Sequence, residues 1–149
     1  MKLNLGCGDN IKPGWLNHDL TLHSKGIDCI HDLDVLPWPW ADNSMAVINS
    51  ISVFEHLKLD LIQILNECWR ILKPRGILYV KYPVFTSPRI HDDPTHRWQW
   101  SQYSFDFVDQ TTNYGNEYWF YTPNKWTILK KEVDRCNCKI SLRPIKESS

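Results

Sequence analysis

The chain has 149 residues, 17 basic and 17 acidic side chains, and 42% hydrophobic residues. That length sets one domain, residues 1–149, able to bury roughly two-thirds of its unfolded surface, and the balanced charge excludes binding nucleic acid through the overall field of the chain. No window of about 18 apolar residues suits a membrane span, no basic-then-apolar leader opens the chain, and five scattered cysteines read as reduced thiols of a cytoplasmic protein.

Lys2 to Leu5 reads as a buried strand running into the turn Gly6-Cys7-Gly8. Two glycines one residue apart let the chain bend sharply and let a ligand approach the backbone without a Cβ in the way. In an α/β protein such a turn lies at the carboxyl end of a parallel strand, where adenosine-type ligands settle. Leu16 to Leu20 is the second strand, with Asp19 where a ribose-binding carboxylate belongs. The first twenty residues therefore propose a nucleoside-containing cofactor.

Ile27 to Leu33 is the third strand, and Met45 to Val53 is a mostly apolar run suited to a strand buried on both faces. From Leu57 to Leu72, apolar residues recur at Leu57, Leu61, Leu65, Cys68 and Leu72, the period of a surface helix. Pro74 and Gly76 stop it. Gly76 to Tyr82 is the next strand, closed by Pro83. Strand, helix and strand from Met45 to Tyr82 make a right-handed parallel unit, so the fold class is α/β.

The connections in the first half are short. About ten residues or fewer separate the first three strands, where a helical crossover needs roughly a dozen. Helices are therefore missing or reduced to a turn on that side. The bare face is covered by the aromatic stretch Trp98 to Trp126 or by a second copy of the chain, or remains an exposed apolar patch, and a homo-oligomer is the expectation.

Cys136-x-Cys138 is too closely spaced for the usual zinc ligands. His91, Asp92, Asp93 and His96 look like a metal cluster, but Pro94 within them favours a turn, and no metal is expected.

LNLGCG (3–8), HDLDVLPWPWADNSM (31–45), SVFEHL (52–57), WRILKPRGILYVKYP (69–83) and DPTHRW (93–98) occur in order. Together they resemble the class I S-adenosylmethionine-dependent methyltransferases, especially the small type-11-like branch. WTILKKEVD and KISLRPI resemble that family's terminal antiparallel hairpin. The resemblance implies a compact Rossmann-like sheet, mostly parallel, and S-adenosylmethionine as cofactor with S-adenosylhomocysteine as product. It also implies that Gly6 and Gly8, with Asn4 and Cys7 in the same motif, line the methionine part. Asp19 would accept both ribose hydroxyls. Asp32, favoured over Asp34, would accept from the adenine amino group, with Leu33 beside the ring. Glu55 is counted with the cofactor contacts, just past the fourth strand. His56 and His96 are the candidate bases for an acceptor that carries a proton, although His56 suits a helix cap or a polar pocket as well.

The chain departs from the family pattern in places. Asn4 and Ala46 stand where acids are commoner, and Asn10 replaces the third glycine. The absence of G-x-G-x-x-G disfavours a nicotinamide-dependent oxidoreductase. The expected activity is methyl transfer to a small-molecule or sugar-type acceptor, with no membrane partner and nucleic acid disfavoured. The alternative is a non-catalytic cofactor-binding or degenerate partner module.

Overall fold

A short apolar segment such as Lys2–Leu5 cannot satisfy its own backbone N–H and C=O groups and must find them in flanking strands. The computed structural model describes residues 1–148. Among the described residues one sheet is built from β1 (Lys2–Leu5), β2 (Leu16–Asp19), β3 (Cys29–Ile30), β4 (Met45–Ile51), β5 (Leu72–Pro83), β6 (Trp126–Val133) and β7 (Asn137–Pro144). Its spatial order is β3-β2-β1-β4-β5-β7-β6. Strands β1 to β5 pair in parallel, and β7 runs antiparallel to both β5 and β6. This is the mostly parallel α/β sheet with a terminal antiparallel hairpin.

The two faces of the sheet differ. On one, Leu3, Leu5, Ile48, Leu78 and Val80 join one buried core with Trp38, Trp40 and the inner side of helix α1 (Leu61–Ile71). On the other, register aligns Asn4 with Asn17 and with Asn49. The Asn4 amide donates to Asn17 Oδ1 at 3.0 Å and to the Asn10 carbonyl at 2.9 Å, and Asn49 donates to Asn4 Oδ1 at 3.1 Å. Asn17 bonds both the N–H and the carbonyl of Lys12. Three asparagines thus hold the loop after β1 flat against a face that a helix would otherwise cover. Helices are absent between β1, β2 and β3 among the described residues.

Several boundaries moved, each for a local reason. The third strand shrinks to Cys29–Ile30 because Asp28 caps Asn17 N–H with its carboxylate and Asp32–Val35 closes a turn. The fourth is buried on both faces only from Ile48 to Ser50; Val47 and Ile51 are half-exposed. The helix starts at Leu61 because Asp60 and Gln63 form a reciprocal capping box. Leu57 to Leu59 lies outside the helix, its end held by Asp34, which accepts from the N–H groups of Lys58 (2.7 Å) and Leu59 (3.2 Å). The helix then passes directly into β5 at Leu72. Pro74 and Gly76 occupy a bulge between the pairs Met45–Leu72 and Val47–Ile77, so they interrupt the sheet ladder and not the helix.

The aromatic stretch does not fold over β1–β3. Trp100 and Phe105 pack on Tyr82 with ring centroids 5.8 and 5.1 Å away, and Asp109 accepts from Ile128 N–H at 2.8 Å. They cover the β5 end and the hairpin. Trp38 and Trp40 close the core near β2 instead, held on α1 by Arg70, which donates to both carbonyls while bonding Glu67.

Candidate active site

Parallel strands leave their carboxyl ends on one side, and connections turn there. A cleft of about 300 Å3 opens at that edge, lined by Gly6 after β1, Asp19 and Leu20 at β2, Asp32 and Leu33 after β3, and Ser52 and His56 after β4.

Gly6 sits at φ +52°, and a Cβ there would meet Val53 Cγ2 at 2.5 Å. Glycine is required on both counts. Its N–H donates to His18 Nδ1 at 3.2 Å, while His18 Nε2 lies 2.8 Å from the His31 carbonyl. The Nε2 proton therefore goes to His31, and burial lowers the pKa of His18, keeping the ring neutral as an acceptor for the turn. Asp19 accepts Gly8 N–H at 2.7 Å and Leu20 N–H at 2.7 Å. A carboxylate has about four lone-pair sites, so two remain for a diol. Asp32 accepts only Asp34 N–H among the described side-chain bonds and stays exposed. Asp34, by contrast, ties its Oδ1 to the N–H groups of Lys58 and Leu59 across the cleft. Ser52, a non-glycine at φ +55°, turns the chain after β4.

Four expected cofactor residues, Asn4, Cys7, Gly8 and Glu55, are not among those lining the cleft, and the Gly8 N–H is held by Asp19. Asn4 is 2% exposed with its amide consumed in the asparagine layer, so it positions the loop and does not reach the cleft. Cys7 is buried, its thiol turned to the Gly8 carbonyl and its pKa raised by burial. Glu55 belongs to a different group.

That group lies on a 3₁₀ turn, Phe54–His56. The Glu55 carbonyl accepts from the N–H groups of Arg97 (2.8 Å) and Trp98 (3.3 Å), fastening the 93–98 loop onto the turn. The rings of His56 and His96 consequently meet edge to face, 4.6 Å between centroids. Glu55 is 1% exposed, neither carboxylate oxygen has a hydrogen-bond partner, and burial pushes its pKa up to about 7. Oε1 lies 3.8 Å from His56 Nε2. Burial and the neighbouring His96 lower the pKa of His56. Asp93 accepts from both the N–H and the hydroxyl of Thr95, so the stretch around Pro94 is a turn.

His18, Thr95 and the structural duty of Asp34 escaped the sequence reading. Only the strand alternation that sets His18 against its neighbour Asp19 hinted at the first. Nothing local signals that residues near 56 and 96 meet.

Residues 3–80, slightly more than half of the chain, match the model of the type 11 methyltransferase domain. The chain belongs to this family. It is a class I S-adenosylmethionine-dependent methyltransferase, and S-adenosylmethionine is its cofactor. No curated protein matches the methyltransferase. Among solved structures, it is similar to a complex between the Haloferax volcanii Trm112 methyltransferase activator and a methyltransferase (TM-score 0.62, 15% identity, 95% of this chain and 80% of that one). It is also similar to a SAM dependent methyltransferase from Archaeoglobus fulgidus (TM-score 0.62, 15% identity, 95% and 84%). The YcgJ protein from Bacillus subtilis aligns over 99% of this chain and 92% of its own, with TM-score 0.61 and 13% identity. At such identities the likeness concerns the fold. No helix among the described residues is long and apolar enough to cross a membrane.

Proposed function

We propose that the methyltransferase holds the adenosine part of its cofactor with Asp19, Asp32 and Leu33, and acts on a small-molecule or sugar-type acceptor that enters beside His56. The observation that carries this reading is the single cleft in which Gly6, Asp19, Asp32 and His56 converge from four different strand ends. The cofactor supplies an activated methyl group on a sulfonium. The protein therefore has mainly to align donor and nucleophile and to keep water out. Gly6 brings bare backbone to the methionine side. Asp19 offers two unspent lone pairs to the ribose hydroxyls while its other two hold the Gly8 turn. Asp32 is the exposed carboxylate for the adenine amino group. His56, kept neutral by burial, and His96 beside it form the acceptor-side pair, available to take a proton from the nucleophile.

The cleft wall supports a small neutral or polar acceptor. Its residues include Asp19, Asp32 and Asp34 and no lysine or arginine among the described residues, so nothing there compensates a polyphosphate. Calorimetry with S-adenosylmethionine and S-adenosylhomocysteine tests the cofactor site: heat with either is expected, and none with both overturns it. Methyl transfer to a panel of sugars and small hydroxylated acceptors then tests turnover. Cofactor binding without turnover on any acceptor would favour the non-catalytic module.

A second reading, completion of the site by another copy, is favoured by the apolar margin at β2 and β3. Leu20, Leu22, Ile30, Val35 and Leu36 are all exposed there, and Leu20 lines the cleft.

A further inference from the structure

We propose that Glu55, His56 and His96 bind a zinc-like divalent cation at the acceptor end of the cleft, deepening the methyltransferase reading above and resting on it for the acceptor's place. A carboxylate oxygen and one ring nitrogen from each histidine lie within 4.8 Å of one another. The protonation of both rings follows from their outer hydrogen bonds. Thr95 spends its hydroxyl proton on Asp93 Oδ1 at 2.6 Å, so at 2.8 Å it must receive the His56 Nδ1 proton. His96 Nδ1 donates to the Ile90 carbonyl at 3.0 Å. Both imidazoles therefore keep Nε2 as the bare lone pair, each held in tautomer by an oxygen behind it, the arrangement that second-shell partners impose on metal-binding histidines.

The third member is the decisive one. Glu55 is 1% exposed and both its oxygens lack any partner, so a buried acceptor faces two other acceptors with no donor between them. A proton satisfies one such pair only at hydrogen-bond distance, and Glu55 Oε1 to His56 Nε2 is 3.8 Å, too long to share one. A cation satisfies all three at once. Ligand atoms around a tetrahedral zinc with bonds of ~2.0–2.2 Å lie about 3.3–3.6 Å apart, so loading draws the widest pair in by about an ångström. Two imidazoles and one carboxylate suit borderline first-row ions and not calcium or magnesium, which take oxygen. Asp93 Oδ2, 3.7 Å from His96 Nε2, adds a second negative charge at the rim.

Three protein ligands leave a position open. Because His56 also lines the cleft, that position faces the entering acceptor, and the class it selects is an acceptor with a hydroxyl oxygen. In the loaded protein the two histidines act as ligands, and orienting the acceptor falls to the cation.

The test uses untagged full-length protein stripped with a chelator and titrated with Co2+, followed by displacement with Zn2+. One equivalent of Co2+, with visible absorption typical of nitrogen and oxygen coordination, is expected. His96→Ala and Glu55→Gln each weaken it about 100-fold or more. S-adenosylhomocysteine calorimetry on the same samples reports the fold and the cofactor site, and its affinity is expected to persist in His96→Ala, whose side chain lies on a loop outside the sheet. No uptake by the wild type, or unchanged affinity in His96→Ala with S-adenosylhomocysteine binding retained, overturns the cation site. Loss of S-adenosylhomocysteine binding by the wild type would instead overturn the cofactor reading, leaving the metal titration to be judged separately.

Discussion

Asp19 carries two duties, and its variants separate them. The carboxylate anchors Gly8 N–H and Leu20 N–H and faces the cleft with its remaining lone pairs. Asp19→Asn keeps one carbonyl oxygen, so it loses one of the two backbone N–H anchors together with half of the lone pairs open to a diol. Asp19→Ala loses both anchors and all of those lone pairs. We expect S-adenosylhomocysteine affinity to fall about 10-fold in the asparagine variant and about 100-fold in the alanine variant, read by calorimetry, at roughly 1–3 kcal/mol per lost charged hydrogen bond. Equal affinity in all three proteins would move the ribose elsewhere. Gly6→Ala combines a left-handed backbone with a Cβ placed 2.5 Å from Val53 Cγ2. The strained conformation alone costs about 1 kcal/mol, so a lower melting temperature and weaker cofactor binding are expected together.

At the scale of elements, helix α1 is both capped and clamped. Asp60 and Gln63 satisfy each other's backbone donors. Asp60→Ala is expected to cost about 0.5–2 kcal/mol in urea unfolding. The clamp is Glu67, which takes Arg70 Nε at 2.8 Å and Trp38 N–H at 2.7 Å. The Arg70 guanidinium holds its carboxyl below the usual range. A depressed folded pKa contributes stability above the unfolded pKa and loses it as pH falls through the folded one. Glu67→Gln should therefore be less stable than the wild type by about 1–3 kcal/mol at neutral pH. The gap should begin to shrink as pH falls below about 4.3, the ordinary glutamate value, and close once pH is below the depressed folded one. A gap independent of pH would mean the carboxylate's charge contributes nothing. Capping boxes of this kind are legible locally: Asp60 and Gln63 stand three apart before an apolar run. The periodicity alone extended the helix back to Leu57 because Leu57 is buried, but its backbone belongs to the segment that Asp34 holds across the cleft.

At the scale of the whole molecule, the open features are the half-exposed face of Val47, Ile51, Ile77 and Tyr79 and the apolar margin near β3. If a second copy covers the margin, light scattering should show a mass that rises with concentration to a dimer, and Leu22→Asp should hold the chain monomeric. A constant monomer mass would leave these residues to solvent.

The sequence by itself determined the α/β class, the parallel strand–helix–strand unit, the glycine turn after β1 and the second strand that ends at Asp19. These follow from periodicity and from rules on where parallel strands end, both local in the chain. Only the tertiary structure decided that the Asn4 side chain braces the loop after β1, that Trp38 and Trp40 close the core in place of the later aromatics, and that His96 meets Glu55 and His56 across forty residues. Those outcomes depend on register between strands and on two backbone hydrogen bonds from the 93–98 loop to Glu55. No local pattern encodes such pairings, because the partners become neighbours only after the chain has closed.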